Sequence, residues 1–298
     1  MSAIHESFAK LYSMYIPHIR RQPVNITCRG REMSCEVTNV KLMFSPARGI
    51  SVYSHADTRA FPIKFALAEF LWILAKRNDV ASIARWNKNI VHYSDDTVIM
   101  NGAYGFRLDN QIENCILRLI NDKHTRQACA NIWQRNDSMS TSKDHPCNTF
   151  LQFMIRDETI DLTVTSRSSD FVTGLPIDSF HWQMLLVIVR NELLSTYPTL
   201  RIGNVIYNIA SLHVYDVDKE ALDLFYTVDD YERVMYLPPN ITFSKLTTNA
   251  MKSFHTAHDF ADLLIMYSMP VGSMNIACVL HETFLARRHK FNRGGTQA

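Results

Sequence analysis

Asp144 to Trp182 reads DHPCNTFLQFMIRDETIDLTVTSRSSDFVTGLPIDSFHW and contains the most informative patterns of the chain. Cys147 precedes two strand-like runs, Thr149–Ile155 and Ile160–Thr165, which a short hairpin turn joins. The second run alternates apolar and polar residues, the period-two pattern of a half-buried strand. An Arg-Ser pair and an apolar, helix-like run from Phe180 to Leu194 follow. A candidate nucleophile, a candidate anion-binding pair and a helix start therefore lie close together in the sequence.

The composition indicates a globular chain. Its 298 residues are 47% hydrophobic, enough for one large domain or two small ones. No linker or repeat divides them, so we predict a single domain over residues 1–298. A net charge of +2 gives no reason to expect binding to nucleic acid or to a membrane. No apolar run reaches the length of about 18 residues that a transmembrane helix needs, and the N-terminus lacks the layout of a signal peptide.

The cysteines and glycines argue against several kinds of site. The six cysteines are scattered and include no C-x-x-C pair, which favours reduced thiols in a cytoplasm and argues against a zinc or other metal site. The nine glycines form neither a phosphate-binding P-loop nor a dinucleotide-binding fingerprint. The chain is therefore expected to act without a bound metal ion.

Periodicity predicts further elements around the central stretch. Helices are expected at Ser2–Arg21, Phe61–Lys76, Leu108–Asn121 and Phe254–Met269, and strands at Val24–Cys28, Ser34–Leu42, Ala128–Trp133 and, as a pair, within Leu200–Leu212. The apolar helix at Phe61–Lys76 carries one carboxylate, Glu69, in its middle. If Glu69 is buried it must be paired, protonated or functional, because burying an isolated charge costs several kcal/mol. The alternative is that Glu69 lies on an exposed stripe of the helix.

Several short motifs in a fixed order resemble those of one family. The chain is similar to thymidylate synthases and the related pyrimidine hydroxymethylases in Pro146-Cys147, the hairpin, Arg167-Ser168-x-Asp170, Gly174-Leu175-Pro176 and His213-x-Tyr215. The run from Val205 to Tyr215 most resembles the deoxycytidylate hydroxymethylases of bacteriophages. The resemblance extends from about Phe61 to Tyr215. It is weak elsewhere, so residues 1–60 and 225–298 are expected to be divergent parts of the same domain.

The resemblance implies which residues carry the chemistry. Cys147 is the expected nucleophile, which adds to C6 of the pyrimidine; the alternative for any cysteine is a buried structural role. A neighbouring Arg167 favours the reactive form, because a cation stabilises a thiolate. Glu69 begins Glu-Phe-Leu-Trp, which is similar to the family's Glu-Leu-Leu-Trp, and is expected to position water and protons. Tyr104 is expected to line the pocket, or otherwise to be a core tyrosine in a turn.

Arginines are the expected ligands of the nucleotide phosphate. Arg167 offers a planar fork of donors and Ser168 offers a hydroxyl, although Arg167 also suits an ordinary salt bridge at a strand end. The resemblance implies that Arg126 reaches the phosphate bound by the other subunit of a homodimer. The family's N-terminal phosphate-loop arginine has no clear counterpart here. Arg48 is its candidate replacement, and a solvated arginine in a turn is the alternative.

The sugar and the folate have their own candidates. His213 and Tyr215 lie two apart on a predicted strand, so both side chains face the same side and suit two hydrogen bonds to a sugar hydroxyl. Plain packing is the alternative for this pair. By resemblance, Asp170 is expected to orient the pterin nitrogens of the folate, and Tyr93 lies near a family residue that contacts the folate ring.

Asp178 is a departure from the thymidylate synthases, which carry asparagine at this position. An amide donates to uracil O4 and accepts from uracil N3–H. An ionised carboxylate cannot donate, but it accepts from the exocyclic amino group of cytosine. A mismatched buried pair costs about 1–3 kcal/mol, so Asp178 favours cytosine over uracil. Alternatively, Asp178 caps a helix that begins near Ser179.

Together these features predict an α+β fold with a large mixed or antiparallel sheet, helices packed on one face, and two such sheets stacked back to back in a homodimer. The predicted activity is hydroxymethylation of a cytidine monophosphate, dCMP to 5-hydroxymethyl-dCMP, with methylenetetrahydrofolate as co-substrate. Three alternatives stay open: C5 methylation of dCMP or dUMP, hydroxymethylation of CMP or dUMP, and a non-catalytic paralogue that binds nucleotide or RNA. We expect a cytoplasmic protein, in the host cytoplasm if the chain is viral.

Overall fold

The predicted hairpin forms part of a large sheet. The computed structural model describes residues 2–253 except 6–7, 29, 54–60, 221, 223–231, 236 and 238. The strands are β1 (Ser2–His5), β2 (Pro23–Cys28), β3 (Arg31–Phe44), β4 (Ile50–Tyr53), β5 (Cys129–Asn131), β6 (Asn148–Arg156), β7 (Thr159–Ser166), β8 (Ser169–Asp170), β9 (Arg201–Tyr215) and β10 (Glu232–Met235). The helices are α1 (Phe8–Arg20), α2 (Ile63–Leu74), α3 (Val80–Ile83), α4 (Tyr104–Leu108), α5 (Gln111–Asn121), α6 (Gly174–Leu193) and α7 (Phe243–Ser253). Short 3-10 turns lie at Pro46–Arg48, Lys88–Tyr93, Arg135–Met139 and Asp216–Asp218.

Eight of the strands form one mixed sheet. Its order is β1-β3-β9-β7-β6-β5, with β2 paired to β3 and β8 paired to β9. The pairs β1–β3, β7–β9 and β8–β9 are parallel, and the remaining pairs are antiparallel. β4 and β10 form a separate two-stranded antiparallel sheet. The predicted α+β fold with a large mixed sheet is confirmed.

The turn between β6 and β7 sets which side chains face the core. Asp157 and Glu158 have φ of 49° and 58°, the left-handed conformation that tight hairpin turns favour. Because side chains alternate along a strand, this register buries one face of the hairpin and leaves the other half exposed. The buried face consists of Leu151, Phe153, Ile155, Ile160, Leu162 and Val164.

Helix α6 lies in the core and begins earlier than predicted. It starts at Gly174 rather than Phe180, since Pro176 is tolerated in a first turn, where an N–H has no partner within the helix. Every residue from Ser179 to Val189 is buried. Thr173 occupies the N-cap position, so Asp178 lies inside the helix. The interpretation of Asp178 as a helix cap is therefore wrong.

Three other boundaries differ from the prediction. The first helix begins at Phe8, and Ser2–His5 form a strand instead, because they pair with Lys41–Phe44 of β3. The strand pair expected within Leu200–Leu212 is the single strand β9, which pairs with β3 on one side and β7 on the other. The helix expected at Leu108–Asn121 is interrupted by Asp109, whose positive φ of 41° separates α4 from α5.

The C-terminal part is described only in places. Helix α7 is not among the predicted helices. The helix predicted at Phe254–Met269 lies outside the described residues, as does most of the divergent part 225–298. Where the structure describes the chain, its helices are too short or too polar to cross a bilayer.

Gly105 allows two helices next to the candidate site to touch. A Cβ atom at this position would overlap the carbonyl oxygen of Ile73 in α2, so no larger residue fits without moving one helix. The resulting close approach of α4 to α2 fixes the position of Tyr104, the first residue of α4.

Candidate active site

The predicted nucleophile lies in a shell of hydrogen-bond donors. Cys147 directly precedes β6, and its Sγ atom is 3.7 Å from both Arg167 Nη2 and Ser168 Oγ. The carbonyl of Cys147 accepts from Arg167 N at 2.9 Å and from Ser166 Oγ at 3.0 Å. These contacts join the start of β6 to the end of β7. The structure therefore brings together the three residues that the motifs predict for the nucleophile and the phosphate.

The guanidinium of Arg167 is largely occupied by its own chain. Its Nε donates to the Pro146 carbonyl at 3.0 Å, Nη1 to Ser168 Oγ at 3.0 Å, and Nη2 to the His145 carbonyl at 3.1 Å. Together with the Nη2 contact to Cys147, these bonds use all but one of the N–H groups that an arginine offers. Arg167 thus shapes the loop that carries the cysteine and keeps an N–H on Nη1 for an anion.

Behind the cysteine lies a buried polar network, which we call the Asp178 cluster (Tyr104, Asn148, Asp178 and Tyr207). Asn148 Nδ2 donates to Asp178 Oδ2 at 2.8 Å and to Tyr104 Oη at 2.9 Å. Tyr207 Oη donates to Asn148 Oδ1 at 2.5 Å and lies 3.2 Å from Asp178 Oδ2. Asn148 and Tyr207 are fully buried. The cluster links the start of β6, the middle of β9, α4 and α6.

Burial controls the protonation of the two carboxylates. It raises the pKa of Asp178 to about 6, although the hydrogen bond from Asn148 and the contact with the Tyr207 hydroxyl act in the opposite direction. It also raises the pKa of Glu69 in α2 to about 8, and the negative charge of Asp178 adds to this increase. At neutral pH, Glu69 is therefore mostly a neutral acid, while Asp178 is mostly ionised. Two carboxylates held in different protonation states suit separate roles in proton transfer and base recognition.

A histidine that the sequence analysis did not consider lies beside Glu69. His181 Nε2 is 3.8 Å from Glu69 Oε2, too far for a hydrogen bond, and donates instead to the Ala66 carbonyl at 2.8 Å. Burial lowers the pKa of His181 to about 4, so its ring is neutral. Only 24% of the Glu69 side chain is exposed, so Glu69 does not lie on an exposed stripe of α2, which was the alternative from the sequence.

The predicted sugar-binding pair occupies the end of β9. The rings of His213 and Tyr215 are edge to face, with centroids 4.8 Å apart. Both ring nitrogens of His213 are buried and make no hydrogen bond within the described residues. Burial lowers the pKa of His213, opposed by the nearby charge of Asp170. The guanidinium of Arg31 lies 3.4 Å from the centroid of the Tyr215 ring. This end of the sheet thus holds unsatisfied polar atoms that suit a bound polar group.

Asp170, the residue expected to orient the folate, accepts hydrogen bonds from residues close to it in the sequence. Its Oδ1 accepts from Val172 N at 2.9 Å, and Thr173 N and Oγ1 also lie within bonding distance of the carboxylate. Asp170 remains half-buried beside His213, with which it pairs in β8–β9 register. Its carboxylate keeps lone pairs for a further donor, since each oxygen accepts more than one hydrogen bond.

The remaining predicted residues lie apart from these contacts. Tyr93 is 48% exposed at the end of a 3-10 turn. Arg126 is exposed just before β5, and its carbonyl accepts from Gln152 Nε2 at 2.9 Å. The backbone of Arg48 ends the turn Pro46–Arg48, and its side chain lies outside the described residues. No described group of three or more His, Cys, Asp or Glu side chains has the arrangement of a metal site.

The sequence analysis misses Asn148 and Tyr207 as site residues. Both stand at inward positions of strands whose other inward residues are aliphatic or aromatic, such as Leu151 and Val205. A polar side chain at a core-facing position is a detectable signal, because it must find buried partners. The identity of those partners depends on tertiary contacts that no local pattern contains.

Comparison with known proteins gives a consistent assignment. The family model described as thymidylate synthase matches residues 10–265. The deoxyuridylate hydroxymethyltransferase of Bacillus phage SP01 is 27% identical over 278 residues, covering 82% of this chain and 70% of that protein. The deoxyuridylate hydroxymethyltransferase of Pseudomonas phage M6 is 35% identical over 145 residues, covering 46% of this chain and 40% of that protein.

Thymidylate synthases are also among the similar proteins. Thymidylate synthase 1 of Bacillus spizizenii is 26% identical over 245 residues, covering 72% of this chain and 84% of that protein. The crystal structure of thymidylate synthase from T4 phage superimposes with a TM-score of 0.66 at 20% sequence identity, covering 82% of this chain and 92% of that one. At this identity, the structural match establishes the fold alone.

Proposed function

Because this chain belongs to the thymidylate synthase family, whose members modify C5 of pyrimidine nucleotides with methylenetetrahydrofolate as co-substrate, we propose that it is a pyrimidine nucleotide hydroxymethyltransferase. One observation carries the proposal. The Cys147 thiol lies 3.7 Å from both Arg167 and Ser168, at one end of a buried network that holds Asp178. In this proposal a nucleophile, an anion-binding pair and a base-reading carboxylate share one site.

In the proposed reaction Cys147 is the nucleophile that attacks the pyrimidine base. Its thiolate adds to C6 of the pyrimidine, which makes C5 electron-rich enough to attack the one-carbon unit of methylenetetrahydrofolate. Loss of the C5 proton and of tetrahydrofolate leaves an exocyclic methylene on C5. Water then adds to this methylene and gives up a proton, and expulsion of the Cys147 thiolate from C6 restores the ring double bond of the hydroxymethyl nucleotide. Glu69, protonated at neutral pH, positions the water and exchanges the proton.

The other side chains have binding roles in this proposal. Ser168 and the remaining N–H of Arg167 contact the phosphate, and His213 with Tyr215 binds the sugar. Tyr104 orders the cluster from the α4 side. By resemblance to the family, Asp170 and Tyr93 contact the folate. Arg48 remains the proposed replacement for the missing phosphate-loop arginine.

We propose a cytidine nucleotide, dCMP, as the preferred substrate. Asp178 carries this choice, since an ionised carboxylate accepts a hydrogen bond from the cytosine amino group and repels uracil O4. With a pKa of about 6, Asp178 is ionised in most molecules at neutral pH. The phage relatives named deoxyuridylate hydroxymethyltransferases support dUMP as the second candidate, which requires Asp178 to be protonated when the nucleotide binds.

We also propose a homodimer formed by the exposed sheet faces. Phe150, Gln152 and Met154 of β6 lie on the half-exposed face of the sheet, a mixture of apolar and amide groups that suits an interface. Arg126 lies at the edge of this face, is exposed and makes no ion pair within the described part of the chain, which leaves it available to a partner's phosphate site. The phage relatives favour a location in a host cytoplasm.

The test is release of tritium from C5 of labelled dCMP, CMP and dUMP, with methylenetetrahydrofolate and with product mass read from the same reaction. Release from a cytidine nucleotide with the mass of CH₂O added supports the proposal and identifies the sugar. Addition of only CH₂ would instead mean methylation, as in the thymidylate synthase relatives. Release from dUMP alone would refute the assignment of cytosine to Asp178. Absence of release from all three nucleotides would favour a non-catalytic binding protein.

A further inference from the structure

Asn148, the residue after the nucleophile, determines how Asp178 faces the substrate. Its amide nitrogen has two N–H groups, and both are used: one on Asp178 Oδ2 and one on Tyr104 Oη. Its amide oxygen accepts from Tyr207 Oη. The reverse orientation of the amide would point its oxygen at the carboxylate, so the network itself fixes the orientation. Asn148 is fully buried and fully satisfied, and it touches the three other members of the cluster.

The two carboxylate oxygens of Asp178 consequently differ in their hydrogen bonds. Oδ2 accepts from Asn148 at 2.8 Å and has the Tyr207 hydroxyl at 3.2 Å. Oδ1 makes no hydrogen bond to any residue that the structure describes. An oxygen that accepts a hydrogen bond from an amide must keep a lone pair directed at it. A proton on Oδ1 leaves both contacts of Oδ2 in place.

We propose that Asn148, assisted by Tyr207, is a specificity-determining positioning residue, which holds Asp178 so that the carboxyl group reads the base through Oδ1 alone. This inference rests on the proposed function, since it concerns the nucleotide that the site accepts. Asn148 acts through Asp178 and needs no direct contact with the substrate.

Because only Oδ1 of Asp178 contacts the base, the choice of base depends on whether Asp178 is protonated. Ionised Oδ1 accepts from the amino group of cytosine, whereas protonated Oδ1 donates to O4 of uracil. The titratable groups that face Asp178 are Glu69 from α2, Tyr104 from α4 and Tyr207 from β9, and Cys147, before β6, lies near both tyrosines. Burial raises the pKa values of Glu69 and both tyrosines, which leaves Asp178 as the carboxyl group of the cluster that titrates near pH 6. The preference for dCMP over dUMP should therefore increase as the pH rises through this value.

The first measurement is the binding of dCMP and of dUMP to the full-length chain by calorimetry, without folate, from about pH 5 to about pH 8, which brackets the pKa of Asp178. In the wild type the ratio of the two affinities is expected to change by about tenfold or more over this range. Asn148→Ala removes a donor that favours the ionised form, so the midpoint of the change should move upward by about one pH unit. Tyr207→Phe should move it in the same direction by less, because its contact to Oδ2 is longer.

A neighbouring substitution provides the control. Thr149→Val removes the hydrogen bond from Thr149 Oγ1 to the Thr165 carbonyl, one residue further along β6 and away from Asp178, and should leave the midpoint unchanged. If Asn148 has a purely structural role, Asn148→Ala should weaken the binding of both nucleotides equally at every pH and leave the midpoint in place. That result would overturn this inference but not the proposed function. Failure of the wild type to bind either nucleotide would overturn the proposed function together with it.

The titration of Asp178 can also be followed without any nucleotide. The ¹³C chemical shift of its carboxyl carbon, assigned by its loss in Asp178→Asn, reports protonation directly. An upward shift of the titration midpoint in folded Asn148→Ala supports the inference. An unchanged midpoint in that variant would contradict it, even if the variant binds nucleotides poorly.

Discussion

Replacing Glu69 by glutamine should make the protein more stable in alkaline solution. Burial raises the pKa of Glu69 from 4.5 to about 8, so the folded protein holds a proton that the unfolded chain releases. The stabilisation from this proton is complete below pH 4.5 and is lost as the pH rises towards 8. The difference between the two pKa values, at about 1.4 kcal/mol for each pKa unit, sets an upper bound of about 5 kcal/mol. Because 24% of the side chain is exposed, water solvates part of the charge, and we expect about 2–3 kcal/mol.

The assay is urea unfolding of the wild type and of Glu69→Gln at a fixed protein concentration, at several values from about pH 4 to about pH 8.5. Glutamine resembles the neutral acid in shape and hydrogen bonding, so the two proteins should be similarly stable at the acidic end. The variant should become progressively more stable than the wild type towards the alkaline end. Asp178 is present in both proteins, so its own titration largely cancels. Glu220→Gln, an exposed carboxylate outside the site, controls for the loss of a charge as such. Stability curves that stay parallel for wild type and Glu69→Gln would show that Glu69 ionises as an ordinary surface carboxylate, and would refute the reasoning.

Three further outcomes are expected. Cys147→Ser should reduce tritium release from C5 by about a thousandfold or more, because a hydroxyl is a far weaker nucleophile than a thiolate, while circular dichroism shows an unchanged fold. Asp178→Asn should raise kcat/KM for dUMP relative to dCMP by about tenfold or more, measured by competition between the two labelled nucleotides; an unchanged ratio would remove Asp178 from base recognition. Asp137→Ala should lower the free energy of unfolding by about 3–5 kcal/mol in urea unfolding. It leaves the buried Arg107 guanidinium without the carboxylate that binds both of its Nη atoms, at 2.6 and 2.8 Å. The double variant Arg107→Met with Asp137→Leu should lose less stability than Asp137→Ala, because it leaves no buried charge without a partner.

Local patterns are sufficient to predict the central hairpin. From Ile160 to Thr165 apolar and polar residues alternate, and Asp157 in the turn tolerates the left-handed backbone that it adopts. The same reasoning is wrong for Leu200–Leu212, which is expected as two strands and forms one. The pattern of β9 shows alternation, but only its partners β3 and β7 determine that it continues without a turn.

The site shows the same limit at the level of side chains. The motifs identify Cys147, Arg167 and Ser168, which the structure brings within 3.7 Å of one another. They do not reveal that two N–H groups of Arg167 donate to the backbone carbonyls of His145 and Pro146, since residue types do not show which main-chain groups a side chain will bind. Asp178 is predicted as a base reader on its chemistry alone. Its raised pKa depends on burial, which requires the complete fold.

The parallel pairing of β7 with β9 has a consequence for synthesis on the ribosome. Residues 167–200, including all of α6, must be made before β9 can dock beside β7. Pairing of strands so distant in sequence is slow, because the chain loses the conformational entropy of closing a long loop before the stabilising contacts between the strands form. Tyr207 therefore joins Asn148 only after the cysteine has long left the exit tunnel. A nascent chain should carry an accessible thiol in an unfinished nucleotide pocket, and the ability to choose a base should appear only when this last central strand is in place.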